Sequence, residues 1–326
     1  VMPADPNRVG GVESAVPGGG LDVDPDASLG GHSGTNPGAS QVLGVGIATI
    51  DIVNLVADYP PEDAEVRALD QRVARGGNAA NTLAVLRQLG RQCAWVGTLA
   101  DDMGATLVSN DLAQRGINHA HALAIAGART PTSYIALSHA SGSRTIVHYR
   151  DLRELTARDF DAVPLANFAW VHFEGRNPVE TAAMMARVRR VRPDVPISVE
   201  LEKPREGIER LFDGARVLIF SRAFAAAMSV QGSTVEPEEF LRQRIDQSDA
   251  ELCLLPWGDA GAYGLARGGE PVFAPAHRPA QVVDTLGAGD AFNAAIIDGL
   301  LRGLNLPRLL AHANHVAGEK CARVGI

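Results

Sequence analysis

The segment Asp284-Thr285-Leu286-Gly287-Ala288-Gly289-Asp290 combines a glycine-rich turn with a carboxylate at the start of an apolar run. A helix is predicted over 290–302. The free N–H groups of its first turn and the positive end of its dipole suit phosphate oxygens, and the glycines allow close backbone approach. The dipole is expected to keep Asp290 ionised, which makes it a candidate to take a hydroxyl proton during phosphoryl transfer. Taken alone, Gly-x-Gly-Asp is more often a tight turn with an N-cap aspartate.

The segment Arg75-Gly76-Gly77-Asn78-Ala79-Ala80-Asn81 opens a second predicted helix over 78–89, which Gly90 ends. Asn78 and Asn81 are three residues apart, so their amides project from one face of that helix, while leucines occupy the other. An amide both donates and accepts hydrogen bonds, and two of them on one face suit a polyhydroxylated ligand. A helix cap plus one solvated asparagine is the alternative.

Strand and helix patterns alternate from Val42 onward. The apolar run from Val42 to Asp51 predicts a buried parallel strand with Asp51 at its carboxyl end, where open α/β sheets place ligand contacts. Further strands are predicted at 92–98, 168–173, 195–201, 215–220 and 250–256, and further helices at 103–115, 178–191, 205–213, 235–247 and 307–323. This order predicts an α/β fold with a mostly parallel sheet covered by helices on both faces.

Two segments interrupt that alternation. Residues 52–75 and 132–149 have extended patterns, and the second predicts a hairpin turning at 140–143. Together they are expected to form a small β lid with one face to bury against a ligand, a partner subunit or both. Residues 1–40 are rich in Gly and Pro and predict a flexible extension, so that 41–326 is expected to be one domain carrying the lid.

Composition excludes several classes of protein. The 326 residues carry 30 Lys and Arg against 38 Asp and Glu, a net charge of −8, which disfavours a nucleic-acid binder. Three scattered cysteines form neither a disulfide framework nor a close metal-ligand pair, and a reducing cytoplasm fits best. No apolar run is long enough to cross a membrane. Gly44-Val45-Gly46 lacks the third glycine of a dinucleotide site, and no Walker motif is present.

The two glycine-containing segments resemble the paired signatures of the ribokinase-like (phosphofructokinase B) carbohydrate kinase family, and the chain is most similar to its ketohexose-phosphorylating branch over most of 42–323. Shorter similar blocks are Tyr59-Pro60, Glu62-Asp63, Cys93-Ala94, 142–147, 174–177, 200–205 and 318–321. The resemblance implies a three-layer α/β/α sandwich with an inserted β lid. It also implies transfer of the ATP γ-phosphoryl group to a sugar hydroxyl, most often C1 of a ketohexose such as fructose.

The resemblance implies roles position by position. Asp290 matches the catalytic base, and Gly287, Ala288 and Gly289 match the anion hole for the transferring phosphoryl group. The matched sugar positions are Asp51, Gly77, Asn78, Asn81 and Asp290, and the matched nucleotide positions are Arg144, Trp257, Asp259, Gly261, Gly287 and Gly289. The resemblance further implies Mg²⁺, a monovalent cation such as K⁺ near the anion hole, and a homodimer formed through the lid.

Several alternatives stay open. Without the resemblance, Asp51 is equally a strand-ending aspartate, Arg144 a solvated hairpin arginine and Trp257 a partly buried core aromatic. Ser221-Arg222-Ala223-Phe224 stands where many family members carry Asn-x-x-Glu near the magnesium, so the metal ligands are not assigned. The functional alternatives are a kinase for another sugar or nucleoside, and a sugar-binding regulator without catalysis on the same scaffold.

Overall fold

The computed structural model describes residues 41–229 and 235–326. The predicted extension over 1–40 lies outside the described residues. The strands are β1 (Gln41–Val45), β2 (Thr49–Val56), β3 (Asp70–Gly76), β4 (Gln92–Val96), β5 (Thr98–Leu99), β6 (Ile117–Asn118), β7 (Leu123–Ala124), β8 (Thr132–Ser138), β9 (Arg144–Tyr149), β10 (Phe168–Glu174), β11 (Ile197–Leu201), β12 (Val217–Phe220), β13 (Leu252–Pro256), β14 (Gly261–Ala266) and β15 (Val272–Pro275). The α-helices are α1 (Asn78–Gln88), α2 (Met103–Gln114), α3 (Ala157–Phe160), α4 (Pro178–Val191), α5 (Arg222–Met228), α6 (Pro237–Asp246), α7 (Ala288–Leu301) and α8 (Leu306–Cys321).

A nine-stranded sheet forms the middle layer, in the order β15-β14-β13-β12-β11-β10-β1-β4-β6. Strands β13 through β6 run parallel along this order, and β14 and β15 are antiparallel at one edge. Strand β10 is buried at every position, as expected for a parallel strand covered on both faces. One apolar core packs α3 to α6 against one face, and a second packs α1, α2, α7 and α8 against the other. The predicted three-layer α/β/α arrangement is confirmed.

A separate four-stranded sheet, in the order β3-β2-β8-β9, is built from the two segments that interrupt the alternation. We call it the small sheet. Strands β8 and β9 form the predicted hairpin. Register partners on neighbouring strands point to the same face of a sheet, and successive residues point to opposite faces. Asp51 therefore lies on one face of the small sheet, and Tyr134, the partner of Ile52, lies on the other.

The prediction of one strand from Val42 to Asp51 is wrong. Strand β1 ends at Val45, and the chain re-enters a strand at Thr49 in the other sheet. Between the two, the Ile47 N–H donates to the Glu174 Oε2 at 3.0 Å, so a side chain replaces a strand partner. Asp51 therefore lies within β2 of the small sheet and not at the carboxyl end of β1.

Some helix predictions also change. The helix predicted over 205–213 is a single 3₁₀ turn, Ile208–Leu211, and α5 was not predicted. Helix α7 begins at Ala288, two residues before the predicted start. In the described part of the chain, no helix is both long and apolar enough to cross a lipid bilayer.

Candidate active site

The first turn of α7 presents a buried carboxylate beside free backbone donors. Gly287 (φ 80°) is the N-cap and makes no side-chain capping bond, and Asp290 is only 7% exposed. The Asp290 Oδ2 accepts a hydrogen bond from the Asn81 Nδ2 at 2.8 Å. The N-cap interpretation of Asp290 is therefore wrong, since its carboxylate bonds a side chain of another helix. Among the described residues, the N–H groups of Gly289 and Asp290 have no acceptor.

A chain of polar contacts holds Asn81 in one orientation. The side chain of Arg75 is 1% exposed, and its Nη1 donates to the Asn81 Oδ1 at 2.7 Å. Its Nε donates to the Asp111 Oδ2 of α2 at 2.5 Å. Because the amide oxygen of Asn81 is taken by a cation, its amide nitrogen must point to Asp290. Sequence reasoning did not select Arg75, although it directly precedes Gly76 in the second signature.

Burial sets the protonation of Asp290. The pKa of the Asp290 carboxyl is raised from 3.8 to about 7, chiefly by removal from water and also by the nearby carboxylates Glu174 and Glu202, while the Asn81 hydrogen bond and Arg75 lower it. The sequence-based expectation of a fully ionised group is thus not met in the ligand-free protein: with a pKa of about 7, burial leaves the Asp290 carboxyl only partly ionised at neutral pH. A carboxylate with a pKa near neutrality is well matched to accepting a proton at physiological pH.

The carboxyl ends of β10 and β11 add two further acidic side chains. Glu174 and Glu200 are register partners on these parallel strands and are both buried. Glu174 accepts hydrogen bonds from the backbone N–H groups of Ile47 and Ala79 at 3.0 and 2.9 Å, which ties the end of β1 to the start of α1. Burial raises the pKa of the Glu174 carboxyl.

Glu200 is in a different environment. Its Oε2 is buried and has no hydrogen-bond partner among the residues that the structure describes. Burial, followed by the charges of Asp290 and Glu174, raises the pKa of the Glu200 carboxyl well above its ordinary value. Next to it, the Glu202 Oε2 accepts from the Asn78 Nδ2 at 3.2 Å. An unpartnered buried carboxylate oxygen beside other carboxylates suits a cation or a water bound to one.

Asp51 and Gly77 lie together where the small sheet meets α1. The carboxylate of Asp51 accepts from the Thr49 Oγ1 at 3.0 Å and lies against Gly76, where an added Cβ would be 2.3 Å from it. Gly77 has φ 103°, and a Cβ there would be 2.2 Å from the Ile47 carbonyl oxygen. Only glycine fits this position, because both the backbone conformation and the space exclude a side chain.

The predicted nucleotide positions fall in two places. Trp257 and Asp259 lie in the β13–β14 connection and Gly261 begins β14; the Trp257 N–H donates to the Gly261 carbonyl at 2.7 Å. The Trp257 ring packs on the core and against the Arg222 guanidinium, 5.0 Å from its centroid. Arg144 is exposed at the start of β9 and has no ion-pair partner among the described residues. The structure therefore brings Asn81 and Asp290 into contact but does not join Arg144 to them.

Residues that sequence reasoning missed hold the turn before α7. The Asp284 carboxylate accepts from the Leu286 N–H at 2.9 Å and from the Arg72 Nη2 of the small sheet at 2.9 Å. The buried Lys320 Nζ donates to the Asp284 carbonyl at 2.7 Å. Arg72 carries no local signal, since its partner is 212 residues away. Lys320 lies within the block 318–321 that resembles the family, and this resemblance is the signal by which the sequence could have indicated it.

A buried carboxylate at a Gly-Ala-Gly helix start, bonded to an amide of a neighbouring helix in a three-layer α/β/α sandwich, is the arrangement expected of a phosphotransferase that acts on hydroxyl groups. Residues 39–326 match the pfkB family of carbohydrate kinases. The chain belongs to that family. It is an ATP-dependent carbohydrate kinase.

Individual relatives agree with this assignment. Ketohexokinase of Mus musculus is 38% identical over 292 residues, covering 87% of this chain and 97% of the mouse protein, which confirms the resemblance found in the sequence. The crystal structure of a putative ribokinase from Agrobacterium tumefaciens superposes with a TM-score of 0.76 at 24% identity, over 88% of this chain and 93% of that one. Arabidopsis thaliana ribokinase, complexed with ribose and ATP, gives a TM-score of 0.72 at 21% identity, over 88% and 94%. The fold is ribokinase-like.

Proposed function

We propose that the protein transfers the γ-phosphoryl group of ATP to the C1 hydroxyl of a ketohexose such as fructose. The observation that carries this proposal is the Asn81–Asp290 hydrogen bond beside the unpartnered N–H groups of the α7 start. This contact supports a site in which Asp290 accepts a proton, Asn81 of the neighbouring helix α1 binds the sugar, and the first turn of α7 binds phosphate. The similarity to mouse ketohexokinase supports the choice of a ketohexose.

In the proposed reaction, Asp290 accepts the proton of the sugar hydroxyl as that oxygen forms a bond to the γ-phosphorus. The bond from the γ-phosphorus to the β,γ-bridging oxygen breaks, and ADP leaves with that electron pair. The N–H groups of Gly289 and Asp290 donate to the oxygens of the transferring group, with Gly287 and Ala288 shaping the turn that aims them. Asp290 then holds the proton until the product leaves.

The proposed sugar site lies between the small sheet and α1. Asn78 and Asn81 bind sugar hydroxyls, and Asp51 accepts from others across the site. Gly77 contributes by its close backbone approach, which leaves room for the ligand next to α1. Replacing Asn78 with Ala is expected to raise KM for the best sugar more than it lowers kcat, because Asn78 does not contact Asp290; an unchanged KM would count against this assignment.

The proposed nucleotide site uses two separate elements. Trp257, Asp259 and Gly261 border the adenosine at the β13–β14 connection, and Arg144 reaches the phosphates from the small sheet. Arg144 has no ion-pair partner among the described residues, so its guanidinium is available for a polyanion. This assignment requires the small sheet to close over the sandwich, as a lid that excludes water from the reaction.

The carboxylates beside the site fit a divalent cation. The unpartnered buried Glu200 Oε2 and the adjacent Glu202 are oxygen donors of the kind that hold Mg²⁺ through its waters. When bound, Mg²⁺ would neutralise part of the phosphate charge. Ser221, which stands where many relatives have the first residue of Asn-x-x-Glu, donates its Oγ to the Glu202 carbonyl at 2.6 Å and so positions this strand end.

We also propose that a monovalent cation such as K⁺ binds near the anion hole and assists it. The Lys320 ammonium already places a positive charge 2.7 Å from the Asp284 carbonyl oxygen at the base of this turn. The rate is therefore expected to fall far less when K⁺ is exchanged for tetramethylammonium than when Mg²⁺ is removed. Coupled assays at constant ionic strength measure both effects.

We propose that the small sheet also forms a homodimer. Val73, Ile52, Tyr134 and Val147 are register partners across its four strands, and the side chains of Val73, Tyr134 and Val147 are 50%, 52% and 66% exposed. An apolar row this exposed is a feature of interfaces. Sedimentation velocity of Val147→Glu tests the dimer: the variant should sediment as a monomer, because the interface would lose apolar area and bury a charge.

We also propose that the enzyme is cytoplasmic, where its three thiols remain reduced.

One experiment separates the proposed function from its alternatives. A panel of ketoses, aldoses and nucleosides is incubated with ATP and Mg²⁺, ADP is measured, and the phosphorylated position is assigned by phosphorus NMR. Fructose 1-phosphate as the preferred product supports the proposal. A faster aldose, ribose or nucleoside favours a different substrate on the same site. Saturable sugar binding without any turnover favours the regulator.

A further inference from the structure

A group of three metal-ligating side chains lies on the surface formed by α8 and the segment after β15. His315 and Glu319 are four residues apart on α8, and His277 follows β15. We call these three residues the His-His-Glu cluster. One ligand atom from each lies within 4.8 Å of the other two. None of the three belongs to the sugar, nucleotide or catalytic positions described above.

The side chains already converge on one point. The His277 Nε2 is 2.9 Å from the Glu319 Oε1, and the rings of His277 and His315 have centroids 4.5 Å apart at an angle of 67°. Four ligands at bond lengths of about 2.1 Å in a tetrahedral site are roughly 3.4 Å from each other. The cluster therefore needs only small rotations of exposed side chains to close around an ion. An i,i+4 pair on one helical face is a common way to supply two of the ligands.

The third ligand is held by the backbone. The Asn314 Nδ2 donates to the carbonyls of Ala274 and Pro275 at 2.9 and 3.0 Å, which fixes the end of β15 against α8. Gly318 then allows the His277 backbone to approach so closely that an added Cβ would be 2.3 Å from its carbonyl oxygen. His277 thus stays opposite His315 and Glu319 before any ion arrives, which lowers the entropic cost of binding.

We propose that the His-His-Glu cluster binds one Zn²⁺ per chain, with water at the fourth position. Two imidazoles and one carboxylate form the donor set that Zn²⁺ accepts, whereas Mg²⁺ prefers oxygen ligands alone. The ion would replace the proton shared between His277 and Glu319. It would also cross-link α8 to the segment after β15, whose Ala276 N–H donates to the Ala260 carbonyl next to the proposed nucleotide positions.

The test uses the full chain, free of any affinity tag that contains histidine and stripped with a chelator. Isothermal titration with ZnCl₂ is expected to show one site per chain, and Co²⁺ is expected to give the visible absorption of a four-coordinate ion. His315→Ala and Glu319→Gln should each weaken Zn²⁺ binding about tenfold or more. His121→Ala removes an exposed histidine outside the cluster and should leave both signals unchanged.

The variants are expected to fold normally, because His315 and Glu319 are exposed, and circular dichroism verifies this. The proposal is overturned if wild type binds no Zn²⁺ below about 100 μM, or if His315→Ala binds it with the same stoichiometry and affinity. It is also overturned if Co²⁺ gives only the weak absorption of a six-coordinate ion. None of these readouts depends on kinase activity, so the result stands whichever sugar the enzyme accepts.

Discussion

Replacing Asp290 with Asn is expected to lower turnover severely while making the ligand-free protein more stable above neutral pH. Asn has the size of Asp, and its Oδ1 still accepts from the Asn81 Nδ2. The substitution removes only the charge that burial disfavours. Loss of a general base typically costs about 10²–10⁴ in kcat, so the variant should bind ATP and sugar but turn over at no more than about 1% of the normal rate.

The stability change follows from the pKa. A carboxyl whose pKa rises from 3.8 to about 7 makes the folded protein bind more protons than the unfolded chain between those values, so wild-type stability falls as pH rises through that window. At about 1.4 kcal/mol per unit, the full difference is roughly 4 kcal/mol above pH 7. Neutralising residue 290 also removes a charge that raises the pKa of Glu200, which adds to the stability of the variant at higher pH. The advantage of Asp290→Asn over wild type should therefore grow by roughly 2 kcal/mol or more between pH 5 and pH 8.

Urea unfolding of Asp290→Asn and wild type at pH 5 and pH 8, without ligands, measures how the difference in their free energies of unfolding changes with pH. Asp213→Asn, which removes an exposed carboxylate, is the matched control and should change the free energy of unfolding by less than about 0.5 kcal/mol at either pH. The reasoning is refuted if Asp290→Asn is the less stable protein at pH 8, or if its advantage is the same at both values. Normal turnover by this variant would separately refute the catalytic assignment.

Three further outcomes are expected. Gly77→Ala should destabilise the protein severely, because it combines an unfavourable φ with a clash against a backbone carbonyl. Gly90→Ala has a similar φ of 88° but lies in open space, so it should lower the free energy of unfolding by only about 1 kcal/mol. Equal losses of stability in the two variants would contradict the packing argument. Arg75→Met removes a cation that lowers the pKa of Asp290, the proposed catalytic base, so the acidic limb of the kcat/KM profile should move to higher pH. An unmoved limb would show that this cation does not act on Asp290. Burial raises the pKa of the Cys93 and Cys253 thiols to about 12, so iodoacetamide at pH 8 should leave both unlabelled in the native protein by mass spectrometry, and rapid labelling would contradict their burial.

The large sheet and most of the helices that cover it were predictable because their signals are local. Strands such as β10 are mostly apolar, and helices such as α1 are flanked by glycines, here Gly77 and Gly90. The break between β1 and β2 was not predictable, since Ile47 and Ala48 continue the apolar run and the interruption depends on Glu174, which is 127 residues away from Ile47. Local pattern identifies an element, but it cannot show which distant side chain ends it.

The residues of the candidate site also differ in whether a local sequence pattern could predict them. Asn81 and Asp290 were selected from two short signatures, and the structure joins them by one hydrogen bond. Arg75 escaped notice because an arginine is normally exposed, and its burial depends on Asp111 in another helix. The protonation of Asp290 was misjudged for a related reason: a helix dipole is visible in sequence, whereas desolvation depends on everything packed around the carboxyl.

Helix α7 is buried at every position from Asp290 to Gly299, between α1 and α8. Amide hydrogens in such a segment exchange with solvent only when the whole domain opens, whereas those of a solvent-exposed sheet exchange through small local fluctuations. The Asp290 side chain thus belongs to the part of the molecule where local opening is least expected. In the proposed reaction, motions of the small sheet over the sandwich can therefore be frequent and large while the position of Asp290 stays constant from one turnover to the next.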